Sequence, residues 1–285
     1  MHRIIDTHIH IWEFSRAEYA WLKGDTSILN RSYFINEIEE ERKTAGITDG
    51  ILVQAACNLD DTRLMLEVAA QTNWLHGVVC WLPLQNTKET ERLLHEAFLP
   101  NKYFVGMRHL IHDEPDAKWL LQPAVIESLK LLAKNNKPYD VVGVKPEHIE
   151  TVLKVSELVP ELKMVFDHLN APPMPTQEKF GKWGELMKTA AQNKNLYAKI
   201  SGLGTASGNF ENRTTAHIKP YVAFMLEHFG IERCFCGGDW PVAALANTYA
   251  KTWQQIQQLV KQLTTEEEQQ QVYFNNANRF YNLGL

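Results

Sequence analysis

Polar residues recur where an apolar run ends, and the histidines and aspartates among them are of the types that move protons or hold metals. The first such run is Asp6-Thr7-His8-Ile9-His10-Ile11-Trp12. Side chains on a strand alternate with period two. That rule sends Asp6, His8 and His10 to one face and Ile5, Thr7, Ile9 and Ile11 to the other. Two neutral imidazoles two residues apart reach the same point in space, a common way to hold half of a zinc site. Burying three polar side chains on one face without partners is costly, so a site role is expected of them. Further along, similar runs end in Gln54, in Arg108-His109, in Asp167-His168, in Lys199 and Ser201, and in Asp239. A lysine inside a strand pattern needs a partner. Arg108 suits donation to a substrate oxygen or carboxylate, but a regular strand cannot turn both Arg108 and His109 to the same side.

These residues need elements to carry them. Short apolar runs read as strands at Ile4 to His10, Gly50 to Gln54, Gly77 to Leu84 (broken by Pro83), Phe104 to Leu110, Pro138 to Gly143, Leu162 to His168, Leu196 to Gly202 and Arg233 to Asp239. Helical spacing falls between and after them: Asn36 to Ala45, a helix capped by Asp60-Asp61-Thr62 and running to Gln71, and Thr87 to Phe98. It continues at Ala117 to Asn135, Pro146 to Val159, Gln177 to Asn193, Thr214 to Phe229, Ala244 to Leu263, and a last helix capped at Thr264-Thr265. Eight strands alternating with helices predict a (β/α)8 TIM barrel, one domain over residues 1–285. An open doubly wound sheet is the rival, but it would carry a glycine-rich phosphate turn after the first strand, where this chain has His-x-His. In a barrel every strand ends at one mouth, so the scattered polar residues converge. Trp12 to Phe34 has no period and is rich in aromatics, which reads as a lid or pocket wall after strand one.

The bulk numbers fit this picture. A chain of 285 residues with 45% hydrophobic content has material for a large core. A net charge of −5 without a basic run speaks against nucleic acid or an anionic membrane as partner. No apolar stretch is long enough to span a bilayer and the N-terminus enters a strand directly, so a cytoplasmic protein acting on a small molecule is expected; a homo-oligomer is compatible with this. Cys57, Cys80, Cys234 and Cys236 read as reduced structural thiols.

Taken together the motifs resemble the amidohydrolase superfamily, in particular the amidohydrolase-2 group of sugar-lactonase-like TIM-barrel hydrolases. The resemblance runs nearly end to end. It includes DTHIHIW at 6–12, ILVQA at 51–55, VGMRHLIHDEPD at 105–116, VFDHLNAPP at 165–173, AKISGL at 198–203, GGDWPV at 237–242 and NNANRFY at 275–281. It implies hydrolysis of a small lactone, with L-fuconolactone, L-rhamnonolactone and sulfomuconolactone as family-type substrates. It also implies that His8 and His10 match the metal-binding pair, His168 the strand-six site histidine and Asp239 the acid that activates water. Binuclear members carry a strand-four lysine or glutamate. Arg108 and His109 stand there instead, which argues against two metals, and a related lactonase type works with none.

The expected mechanism has Asp239 as general base. The oxyanion is met either by one zinc on His8, His10 and Asp239, with His168, or by the histidines with Arg108 and Lys199. Gln54, Arg108, His109, Lys199 and Ser201 are the expected hydroxyl ligands, and Trp12, Trp21 and Trp240 the apolar cover. Two other functions are weighed: a metal-dependent decarboxylase using Arg108 as a carboxylate clamp, and a barrel that only binds.

Overall fold

The computed structural model describes residues 3–174, 179–205 and 214–285. Eight parallel strands pair in chain order: β1 Ile5–Ile9, β2 Asp49–Val53, β3 Leu75–Cys80, β4 Phe104–His109, β5 Tyr139–Val141, β6 Met164–Phe166, β7 Leu196–Ile200 and β8 Cys234–Cys236. The sheet closes just beyond β8, where Asp239 N donates to His8 O and His10 N donates to Trp240 O, both at 2.7 Å. The helices are α1 Glu39–Thr44, α2 Leu59–Gln71, α3 Thr87–Leu93, α4 Pro123–Lys134, α5 Pro146–Leu158, α6 Gly181–Ala191, α7 Thr215–Phe229, α8 Tyr249–Leu263, α9 Glu266–Gln270 and α10 Asn276–Tyr281. The (β/α)8 barrel expected from the spacing is therefore present, and all these elements build one domain.

Several element boundaries moved, among them the helix expected from Ala244, which begins at Tyr249, and the third strand, which ends at Cys80; two have clear local reasons. The helix expected from Ala117 begins at Pro123, whose fixed φ and missing N–H suit a first helical position. The cap of α2 is Asn58, which accepts from Asp61 N; Asp61 itself turns back and accepts from Ala55 N and Ala56 N. The start of the helix expected at Gln177, and most of the glycine-rich loop after β7, lie outside the described residues.

Two apolar layers result. One lies between the sheet and its helices. The other fills the barrel interior with Ile5, Val53, Val105, Val165 and Phe235, and is plugged by Phe274, Ala277, Phe280 and Tyr281 from the C-terminal segment. The interior layer shows where strict alternation fails. Four residues of β1, Asp6 to Ile9, lie opposite three of β2, Gly50 to Leu52. This bulge resets the parity of the strand. Ile5 points inward, Asp6 outward, and His8 inward again. The expectation that Asp6 shares a face with His8 and His10 is thus corrected. Its carboxylate accepts from Tyr249 Oη (2.7 Å) and Trp253 Nε1 (3.0 Å) of α8 and from Gly238 N (2.8 Å). A side chain at Gly238 would collide with that carboxylate. Strand β4 gains a residue in the same way: Val78 and Val79 of β3 face Phe104 and Gly106. Val105 points inward before the shift and Arg108 after it.

Candidate active site

At the C-terminal ends of the strands lies a cavity of about 330 Å³. His10, Arg108, His168 and Asp239 form its polar floor, and Trp12, Trp21, Val142, Val144 and Val242 its apolar walls, with His112, Asp113 and Thr205 also lining it. This size suits a small ligand.

Asp239 is the centre. Its Oδ1 lies 3.5 Å from His10 Nε2, 3.7 Å from His8 Nε2 and 3.8 Å from His168 Nε2. Burial pushes its pKa up, but the neighbouring histidines, His168 foremost, outweigh this and hold the carboxyl below the ordinary carboxylate range, so it is ionised at neutral pH. Asp239 and His168 share an unusual backbone: φ is +60° at Asp239 and +53° at His168. The left-handed stretch continues through Leu169, Asn170 and Ala171, none of them glycine. Such conformations are strained for residues with a Cβ and persist where surrounding structure holds them. Here the strain swings His168 over the cavity instead of away from it. Gly202 (φ +57°) leaves the room, since a Cβ there would collide with both His168 Nδ1 and Asp239 Oδ2.

Hydrogen-bond partners decide which imidazole nitrogens face the cavity. His10 Nδ1 meets the carbonyl of Val53 at 2.8 Å, so it carries the proton and leaves the Nε2 lone pair aimed at Asp239. Burial lowers the pKa of His10, and Arg108 adds to this, favouring the neutral ring. His168 Nδ1 is 2.9 Å from Ser201 Oγ, and that oxygen accepts from His168 N at 3.3 Å. With the hydroxyl donating to Nδ1, His168 carries a proton on Nε2 and presents a donor to the cavity. His8 is fully buried. Burial is the main cause that lowers its pKa well below the ordinary value, helped by Lys199 and His168.

Arg108 is held on three sides. Its Nε donates to Gln54 Oε1 (3.0 Å) and its NH2 to Gln54 O (2.5 Å). Its NH1 reaches Asp167 Oδ2 (3.1 Å) and His8 Nε2 (3.2 Å). Four of the five guanidinium N–H groups are thereby committed, leaving one.

The geometry separates the expected site residues. His8, His10, His168, Arg108 and Asp239 come together, and Trp12 and Trp21 form the wall. Trp21 Nε1 is pinned to Ala55 O at 2.8 Å and stacks edge-on against Trp12 at 5.3 Å, so the aromatic loop is a wall of the cavity. Four expected ligands do not reach the cavity. His109 points outward: Trp81 Nε1 donates to its Nδ1 (3.0 Å), its Nε2 meets Glu114 (2.7 Å), and its ring stacks on Trp119 at 3.9 Å. Gln54 lies behind Arg108, and Ser201 behind His168. Trp240 packs edge-on against Tyr33 at 5.4 Å. Lys199 also stays inside the barrel, ion-paired with Asp140 and Asp167. Sequence reasoning missed Asp167, Asp140, His112, Asp113 and Thr205. Asp167 stood in the same acid–histidine pair as His168, and its position before the end of an apolar run was the available signal.

His8, His10 and Asp239 also form the one group among the described residues whose donor atoms lie close enough together, within 4.8 Å, to hold a metal ion. The two Asp239 separations suit a single divalent cation. Tetrahedral ligands at zinc distances of about 2.0–2.1 Å stand about 3.4 Å apart, close to the 3.5 and 3.7 Å seen here. The His10 lone pair and the Asp239 carboxylate are two acceptors facing each other, which calls for a cation or a water proton between them. At His8, the Arg108 guanidinium competes for the same lone pair.

The profile of a family described as Amidohydrolase matches residues 5–283. Among curated proteins, the L-fucono-1,5-lactonase of Burkholderia ambifaria is 26% identical over 284 residues, covering 98% of this chain and 95% of its own. Among solved structures, an amidohydrolase from Burkholderia multivorans with bound Zn superposes with a TM-score of 0.90 at 24% identity, covering 98% of this chain and 99% of that one. A 2,6-dihydroxybenzoate decarboxylase in complex with 2,6-dihydroxybenzoate superposes with a TM-score of 0.68 at 15% identity, with both chains covered fully. The two structural matches speak to the fold.

Proposed function

This chain belongs to the amidohydrolase family, and from that premise we propose that it opens a small neutral lactone, a sugar lactone, by adding water to the ring carbonyl. The curated lactonase relative supports the reaction class. The observation that carries the reading is the Asp239 carboxylate, ionised and ringed by three imidazoles at the floor of a cavity that Trp12 and Trp21 line.

Asp239 takes a proton from a water as that water attacks the carbonyl carbon. Negative charge grows on the carbonyl oxygen, where the free N–H of Arg108 and the Nε2–H of His168 meet it. As the ring C–O bond breaks, Asp239 returns the proton to the departing ring oxygen; the hydroxy acid so formed loses its carboxyl proton to solvent and leaves as the carboxylate. Were a divalent cation bound, His8, His10 and Asp239 would hold it, and it would polarise the carbonyl. The apolar wall and the half-exposed Asp113 at the rim suit a ligand with one hydrocarbon face and uncharged hydroxyls.

The decarboxylase alternative fits less well. A carboxylate clamp uses two parallel N–H groups of one guanidinium, and Arg108 has one left. Arg108 is also the only lysine or arginine among the described residues that line the cavity. The test is proton release from a panel of neutral sugar lactones, carboxylated lactones and hydroxybenzoates, before and after chelation. Turnover of neutral lactones is expected; carbon dioxide release without lactone opening would overturn the proposal.

A further inference from the structure

Beneath the histidines the barrel holds a second set of charges that the proposed chemistry does not use. Lys199 Nζ lies 2.6 Å from Asp140 Oδ2 and 2.8 Å from Asp167 Oδ1, and all three side chains are 0% exposed. Asp140 Oδ2 also accepts from Tyr281 Oη at 2.6 Å. Tyr281 belongs to α10, the plug at the closed end of the barrel, where its ring packs on Phe235 and Phe280. At the other end of the set, Asp167 Oδ2 accepts from Arg108, and Lys199 Nζ sits 3.3 Å from His8 Nδ1.

Lys199, Arg108, Asp140 and Asp167 sum to zero charge without water. Ion pairs removed from water this completely repay their desolvation poorly, and apolar residues of similar volume would stabilise the interior as well or better. Their geometry suggests what they do instead. The Tyr281 hydroxyl fixes one oxygen of Asp140. Asp140 accepts one of the three ammonium N–H groups of Lys199, and Asp167 holds the ammonium by charge at 2.8 Å. Asp167 in turn holds one edge of Arg108 through Oδ2, while its Oδ1, 3.5 Å from His8 Nδ1, holds the side of the His8 ring that faces away from Asp239. Each link removes rotational freedom from the next, and the last two links stand beside the reacting groups.

We infer that Tyr281 is a positioning residue for Arg108 and His8, acting through Asp140, Lys199 and Asp167 from the closed end of the barrel. The inference rests on the lactonase reading only for its kinetic test. Tyr281→Phe keeps the packed ring and removes one O–H. It is measured three ways against the parent protein: lactone kinetics, thermal unfolding, and ¹⁵N resonances of the histidine ring nitrogens, with His8 assigned by its loss in His8→Gln. The expected result is a fall in kcat of about tenfold with KM within about twofold, because a small misplacement of catalytic groups acts on the transition state. The His8 resonances should shift while the melting temperature stays within a few degrees. Unchanged kcat and unchanged His8 resonances would overturn the inference, as would a kcat loss that merely follows the lost folded fraction. Should Tyr281→Phe fail to fold, Asp140→Asn removes the next link and is read in the same way. If the parent opens no lactone, the lactonase reading fails, and the His8 resonances still decide the positioning role.

Discussion

Two strands end in a charged residue followed by histidine, and they use the pair in opposite ways. At the end of β4 the backbone stays extended. Arg108 points into the barrel, and His109 points out to Trp81, Glu114 and Trp119, where every polar atom is used. Beyond β6 the backbone turns left-handed at His168. Asp167 points into the barrel, yet His168 still reaches the cavity, 3.8 Å from Asp239. Alternation lets one of two neighbours serve a site; a strained turn lets both. The strain is therefore where chemistry is expected, and the regular strand end is where packing is expected.

The largest effect should come at the other left-handed residue. Asp239→Asn keeps the shape of the side chain and removes the base, so kcat for lactone opening should fall about 10³-fold or more with the circular dichroism spectrum unchanged. Turnover near the parent rate would remove Asp239 from that role. Next comes the strained histidine itself. His168→Gln should lower kcat about 10²-fold through loss of an oxyanion donor; steady-state kinetics showing only a raised KM would make it a binding group instead.

The pH profile gives a smaller and graded effect. Burial lowers the pKa of both His8 and His10, so both rings stay neutral as the pH falls to the ordinary histidine value of 6.5 and charge only below it. The kcat/KM profile should be flat between pH 7.5 and 6.5, with its acid limb lower still; a limb centred at or above 6.5 contradicts the neutral assignment. The smallest effect belongs to the regular strand end. His109→Phe preserves stacking on Trp119 and forfeits two hydrogen bonds, which should lower stability by about 1–3 kcal/mol in chemical denaturation and change kcat by less than about threefold. A hundredfold loss there would collapse the contrast between the two strands.

Much of the site was legible because strand ends in a parallel barrel converge on one mouth. His8, His10, His168, Arg108 and Asp239 could be gathered from positions more than 200 residues apart on that rule alone. What alternation could not supply there was depth. Lys199 and Ser201 share the inward face as expected, yet neither lines the cavity, because Asp140 and Asp167 hold the first and His168 covers the second. Depth along the barrel, set by packing around the interior plug, separates a cavity wall from its support.

The order of strands and helices, the single barrel and the residue types at the strand ends follow from the sequence by itself, because hydrophobic period and turn residues are local properties. Where a strand carries an extra residue, the facing of those residues was decided by tertiary structure. In β1, the bulge that parts Asp6 from His8 depends on Gly238, Tyr249 and Trp253, more than 230 residues away. In β4, alternation counted from Val105 would turn His109 inward; the extra residue opposite Val78 and Val79 turns Arg108 inward instead. A one-residue slip reverses every side chain that follows it, and the partners that fix such a slip lie on other strands and helices.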